Sequence, residues 1–126
     1  YAGVHRSQDA LRDRMITIDM DYFDHETEIA ITKAKSKLSK RDAETIVNIV
    51  RELRDSGKCE FAPTVRACIM IGKTLSGQQL TLAQSNGVFT QMCQDILSSE
   101  TSRVGSKTNQ NRIKAIVGEI VATHYK

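Results

Sequence analysis

The stretch that decides the fold is Ser39 to Arg54, S-K-R-D-A-E-T-I-V-N-I-V-R-E-L-R. Its apolar residues recur at intervals of three and four, which is the period of a helix with one face toward a core. They are Ala43, Ile46, Val47, Val50 and Leu53. Ser39 is a favoured residue just before a helix, and Asp42 follows in the first turn. The stretch therefore predicts an amphipathic helix that begins after Ser39 and continues through Arg54.

The segments on either side are predicted to be helical as well. Asp24 is a suitable cap for a helix from about His25 to Lys37, with glutamates in its first turn and lysines near its end, as the helix dipole favours. Residues 55–62 are predicted to form a polar loop. Pro63 is expected at the first position of the next helix, where its missing N–H costs little. That helix runs from about Thr64 to Leu75 and is apolar around most of its circumference, so we expect it at the centre of a bundle.

The rest of the chain predicts two further helices. Val88 to Leu97 carries an apolar stripe at helical spacing, and Ile113 to Val121 carries another. The polar segments 76–87 and 98–110 are predicted to be loops, the second of them a mobile surface connection. Together these patterns predict a mainly α fold, a helical bundle.

Residues 1–20 follow a different pattern. Ser7 to Arg12 is predicted to form a short helix, and Met15 to Met20 alternates between apolar and polar residues like a half-buried strand. One strand cannot satisfy its own backbone hydrogen bonds, and the remaining chain offers no convincing partner strand. We therefore expect that the chain begins inside a larger α/β domain, with one strand and one short helix preceding the bundle.

Composition and charge restrict the classes of protein to which the chain can belong. Its 126 residues are 40% hydrophobic and 26% charged, which suits a single core. The net charge of +3 is spread over interleaved basic and acidic residues, so a solvated mixed surface is favoured and no nucleic-acid partner is expected. No apolar run is long enough to span a membrane. Cys59, Cys68 and Cys93 lack the spacing of a disulfide framework or zinc site, and the last two are predicted to be core residues.

No complete catalytic motif is present in the sequence. The chain contains no G-x-x-x-x-G-K-[ST] loop to bind phosphates and no H-E-x-x-H metal motif. Two arginines remain as candidates: Arg14 lies beside the predicted strand, and Arg66 lies near a helix start and must point away from the core. A planar guanidinium can bind two phosphate oxygens and offset the charge that develops in phosphoryl transfer. From the residues alone, a surface or salt-bridge role is the commoner one for either arginine.

Several segments together resemble a known family. They are YAGVHRSQDALRDRMITIDMDYFDHETEIAI, AKSKLSKRDAETIVNIVRELRD, PTVRACIMIGKTL and VFTQMCQDILSSET. They are similar to the C-terminal part of the gas vesicle protein N family, AAA+ ATPases of the MoxR branch related to NorQ and CbbQ. The resemblance implies that residues 1–23 are the end of an AAA+ core, with the arginine-finger segment and the last strand, and that residues 24–126 are a helical lid subdomain.

The same resemblance implies a role for each candidate arginine. Arg14, in D-R-M, matches the arginine finger that one subunit supplies to its neighbour, and Arg12 is the near alternative. Met15 stands where the family more commonly has Phe, a change that keeps an apolar contact. Arg66, in P-T-V-R-A, matches the nucleotide-binding arginine called sensor 2, at the start of a lid helix.

The resemblance also implies cofactors and partners. The intact protein is expected to be an ATP hydrolase that binds ATP and Mg²⁺ in a homo-oligomeric ring, and to act on gas vesicle shell or accessory proteins in the cytoplasm. Because the Walker A and Walker B motifs are expected outside this chain, the chain alone should bind neither cofactor fully and should be inactive. Two alternatives stay open: the lid of a NorQ/CbbQ-type activator ATPase that remodels a metalloenzyme, and a stand-alone helical binding module.

Overall fold

A computed structural model describes residues 23–85, 87–103 and 105–124. This part of the chain forms the helices α1 His25–Ser36, α2 Lys40–Ser56, α3 Val65–Gly77, α4 Leu82–Ser85, α5 Gly87–Glu100 and α6 Lys107–His124. The predicted mainly helical fold is therefore confirmed for the described residues. The predicted short helix at Ser7 to Arg12 and the predicted strand at Met15 to Met20 lie outside them.

The boundaries of α1 and α2 follow from the capping residues that the sequence predicts. The Asp24 carboxylate accepts a hydrogen bond from the Thr27 N–H at 2.8 Å, and hydrogen bonds from the side chain and then the backbone of Thr27 lower the pKa of the carboxyl group. The Ser39 hydroxyl accepts one from the Asp42 N–H at 3.2 Å. Gly57 ends α2 with a left-handed φ of 69°, a conformation that suits glycine because it has no side chain. Both predicted N-caps are confirmed.

Helix α3 begins at Val65, one residue after the predicted start at about Thr64, and the prediction that Pro63 occupies its first position is wrong. Thr64 has an extended backbone, and its hydroxyl accepts a hydrogen bond from the Arg66 N–H at 3.2 Å, so Thr64 is the N-cap. Pro63 precedes the cap and is buried. A capping hydroxyl satisfies an N–H that would otherwise have no partner, and this contact outweighs the preference of proline for the first helical position.

The predicted loop at residues 76–87 contains more helix than its composition indicates. Helix α3 continues to Gly77, and α4 forms a single turn. The Leu82 side chain is buried at 5% exposure, and the Leu82 N–H donates to a carboxylate oxygen of Asp42 at 3.2 Å. The hydrogen bond joins the turn to α2, and because Asp42 is distant in sequence, local composition does not reveal this contact.

The prediction of a surface connection at residues 98–110 is also wrong at both ends. Helix α5 continues to Glu100, and α6 begins at Lys107. Ser98, Thr101 and Ser102 are buried, and the Thr101 hydroxyl donates to the Leu97 carbonyl at 2.7 Å. Because such a bond satisfies the hydroxyl inside the fold, polar residues can be buried there. Val88, predicted to lie in the apolar stripe, is 44% exposed.

The helices share one apolar core. Helix α3 packs against α1, α2 and α5, and α6 packs against α2 and α5. Fully buried side chains from these helices include Ile46, Val50, Ile71, Leu75, Phe89, Leu97, Ile113 and Val117. Cys68 and Cys93 are fully buried in the same core, as predicted. Within the described ranges, no helix combines the length and apolar character needed to cross a bilayer.

Candidate functional site

Arg66 occupies the first turn of α3, on the side of the helix that faces away from the core. Its neighbours Val65 and Ala67 are buried, whereas Arg66 itself is exposed, as predicted. The Thr64 hydroxyl holds the Arg66 N–H, and the Thr64 carbonyl accepts a hydrogen bond from the Ala67 N–H at 3.0 Å. The backbone that carries the guanidinium is therefore ordered by its cap, while the side chain projects to the surface.

The electrostatic environment of Arg66 favours an anion. The first turn of α3 contains no acidic residue. Among residues 23–85, 87–103 and 105–124, no salt bridge joins the guanidinium of Arg66 to a carboxylate. The N-terminal end of a helix adds a partial positive charge. A phosphate group is the kind of ligand that such a surface can bind.

A buried ionic cluster lies beneath the start of α3. Glu28 of α1 is fully buried, and one of its oxygens accepts a hydrogen bond from Arg51 at 2.8 Å. Arg54 binds both oxygens, at 3.4 and 3.0 Å. Each arginine also donates to a backbone carbonyl: Arg51 to that of Phe23 at 3.2 Å, and Arg54 to that of Pro63 at 2.9 Å. We call Glu28, Arg51 and Arg54 the Glu28 cluster.

Comparison with known proteins identifies relatives of this chain. No protein-family model matches it, and no solved structure matches it. The gas vesicle ATPase GvpN of Ancylobacter aquaticus is 41% identical over 99 residues, which cover 79% of this chain and 28% of the relative. The chain is related to the gas vesicle ATPase GvpN. The gas vesicle ATPase GvpN1 of Halobacterium salinarum is 38% identical over 104 residues, or 82% of this chain and 28% of the relative.

A third relative extends the match along most of the chain. The gas vesicle ATPase GvpN2 of Halobacterium salinarum is 34% identical over 124 residues, which cover 97% of this chain and 33% of GvpN2. The resemblance predicted from the sequence motifs is thus confirmed. The chain spans about a third or less of the length of these GvpN relatives.

Of the predicted site residues, Arg66 is the one that the structure describes. Arg66 lies at a capped helix start, as described above. Arg14, the predicted arginine finger, and Arg12, its alternative, lie outside the described residues. The arginine-finger role of Arg14 and the sensor 2 role of Arg66 therefore stay predictions.

The sequence patterns missed the Glu28 cluster. They placed Glu28 only in the first turn of a helix, where an acid is favourable for the dipole alone. Arg51 and Arg54 are three residues apart, on the flank of the stripe that contains Val47 and Val50. Arginines beside a buried stripe commonly extend to solvent, so this spacing does not predict a buried acidic partner, and the period of α1 does not reveal that Glu28 is buried.

In the part of the chain that the structure describes, the remaining reactive side chains give no second site. Burial raises the pKa of the Cys68 thiol to about 12 and also raises the pKa values of Cys59 and Cys93. A thiol with a raised pKa is protonated at neutral pH and is a poor nucleophile. Within the described ranges, no group of three or more His, Cys, Asp or Glu residues is placed to hold a metal ion.

Proposed function

We propose that residues 24–126 form the lid subdomain of a GvpN-type AAA+ ATPase, and that Arg66 contacts the phosphates of ATP as the sensor 2 arginine. The observation that carries the proposal is the setting of Arg66: an exposed guanidinium, without a carboxylate partner among the described residues, on a capped helix start that contains no acid. Relatives of the same region are named gas vesicle ATPases.

Arg66 would distinguish ATP from ADP. A guanidinium at this position can bind two oxygens of the terminal phosphate, and that contact is lost when the phosphate leaves. Since the two nucleotides then stabilise different positions of the lid, hydrolysis would be coupled to movement of the lid. Mg²⁺, when bound with ATP, would offset the charge of the phosphates, and the groups that hold it would come from the rest of the ATPase.

The other predicted elements belong to the same proposal. Residues 1–23 would be the end of the AAA+ core, with Arg14 supplied to the nucleotide of a neighbouring subunit in a homo-oligomeric ring. Such a finger changes turnover by about a thousandfold or more in other nucleotide hydrolases. The clients would be gas vesicle shell or accessory proteins in the cytoplasm. The gas vesicle names of the relatives favour these clients over a metalloenzyme.

The test compares three arginines in the full-length ATPase that would contain this chain. Arg66→Ala should weaken ATP binding and raise the KM for ATP, whereas Arg14→Ala should abolish turnover and leave nucleotide binding largely intact. Arg41→Ala is the matched control, because Arg41 is also an exposed arginine in the first turn of a helix. ATP turnover and equilibrium binding of a fluorescent ATP analogue are the measurements. An Arg66→Ala variant indistinguishable from Arg41→Ala in both would refute the assignment of Arg66.

A further inference from the structure

We propose that the Glu28 cluster positions Arg66 for nucleotide, with Arg54 as the positioning residue. This inference rests on the proposed function, since it concerns the same site. Arg54 is bound to the Pro63 carbonyl and to the Glu28 carboxylate. It acts through the backbone of Pro63, three residues before Arg66.

The Glu28 cluster keeps charged groups away from water. Glu28 is fully buried, and the exposed fractions of the Arg54 and Arg51 side chains are only 12% and 30%. Removing such ions from water is expensive, and apolar residues of similar size often stabilise a fold as well or better. Stabilisation of the fold is therefore a weak explanation for the Glu28 cluster, and the positions of its hydrogen bonds offer a better one.

Arg54 binds a backbone carbonyl in addition to Glu28. Arg54 uses its Nε to hold the carbonyl of Pro63, while its other nitrogens hold the Glu28 carboxylate. A planar guanidinium fixes these contacts in one relative orientation. The residue just before the cap of α3 is thereby held against α1 and α2, which sets the point from which Thr64 and Arg66 continue.

Arg51 connects the cluster to the residues that precede α1. Arg51 joins the same carboxylate to the carbonyl of Phe23, the residue that leads into α1. In the proposed domain division, Phe23 is the last residue of the AAA+ core. The Glu28 cluster thus connects the entry of the lid with the helix that carries Arg66, and a rotation at the entry would be transmitted to Arg66.

The experiment is a double-mutant cycle in the full-length ATPase. Arg54→Gln should raise the KM for ATP by about tenfold when Arg66 is present, and by less than about twofold in an Arg66→Ala background. If Arg54 acts through Arg66, the two effects cannot add. Additive effects of the two substitutions on KM would overturn the positioning role, because a general loss of stability would act equally in both backgrounds.

Two variants separate geometry from folding. Arg54→Lys keeps a positive charge beside Glu28 but cannot bind Glu28 and the Pro63 carbonyl in the same fork, so it should fold and still raise KM. Arg112→Gln is the matched control: Arg112 donates to the Lys58 carbonyl at 2.9 Å, in the same loop but farther from α3. It should leave KM unchanged. Wild-type behaviour of Arg54→Lys would show that charge alone matters and would reject the proposal.

Hydrogen exchange distinguishes failure of this inference from failure of the proposed function. If the unmodified protein hydrolyses no ATP, the proposed function is wrong. The effect of Arg54 on the start of α3 can still be measured. The N–H groups of Arg66 and Ala67 bind Thr64 in the cap, and they should exchange about tenfold faster in Arg54→Gln than in Arg112→Gln. Equal exchange in the two variants would mean that Arg54 does not position α3.

Discussion

Arg54 and Arg66 lie on either side of the same loop and have opposite surroundings. Arg54 is 12% exposed and bound to a buried carboxylate and a backbone carbonyl. Arg66 is exposed and has no salt bridge to any described residue. A guanidinium surrounded by acceptors organises the fold, whereas the exposed guanidinium of Arg66 is the one that, under the proposed function, binds a ligand. The predictions below test that contrast.

The largest effect is expected from removal of the buried acid. Glu28→Ala would leave Arg51 and Arg54 without their carboxylate, and breaking a buried ionic cluster in this way costs about 3 kcal/mol or more. Arg66→Ala should change the free energy of unfolding by no more than about 0.5 kcal/mol, as is usual for an exposed residue. Urea unfolding of the full chain measures both. Similar losses for the two variants would contradict the division into a structural arginine pair and a free arginine.

An intermediate effect is expected along the buried face of α3. A Cβ at Gly72 would lie 2.7 Å from the Ser36 Cβ of α1, so Gly72→Ala should force the two helices apart and cost about 1 to 3 kcal/mol. Gly77, at the end of the same helix, has nothing within 4 Å of such a Cβ. Gly77→Ala should therefore be neutral or stabilise the chain by up to about 1 kcal/mol. Thermal unfolding of the pair tests whether α3 is fixed by its contact with α1. Equal melting temperatures would show that it is not.

The smallest effect is expected at the cap beneath Arg66. Thr64→Ala removes the hydroxyl that accepts the Arg66 N–H, which should cost about 1 kcal/mol, whereas Thr64→Ser should retain most of the stability. Under the proposed function, the same Thr64→Ala change in the full-length protein should raise the KM for ATP, since it loosens the turn that carries the guanidinium. A loss of stability without any change in KM would indicate that Arg66 needs no fixed backbone.

Much of the fold can be predicted because capping and apolar period act locally. The caps at Asp24 and Ser39 and the stripe of α2 depend on residues within a few positions of one another, and all three are found as predicted. The errors occur where distant contacts decide. Leu82 orders a turn by packing and by its bond to Asp42, which is 40 residues away. Local composition cannot register such a contact, because its energy exists only after the helices have packed.

The candidate site divides in the same way. The exposure of Arg66 followed from the sequence, since its position falls between buried apolar neighbours on a helix. The Glu28 cluster did not, since its carboxylate comes from α1 and its arginines come from α2, 23 and 26 residues later. Their separation is set by how the two helices pack.

By itself, the sequence determined the helical class of the described residues and the outward direction of Arg66, because periodicity and capping depend on residues that are close together in the chain. It also determined the relationship to GvpN, because sequence identity is read along the chain without reference to its folding. Only the tertiary structure decided which acid is buried, which arginines neutralise it and which carbonyls they hold. A charge can be kept away from water only when several elements surround it at once, and that arrangement exists in the packed helices alone.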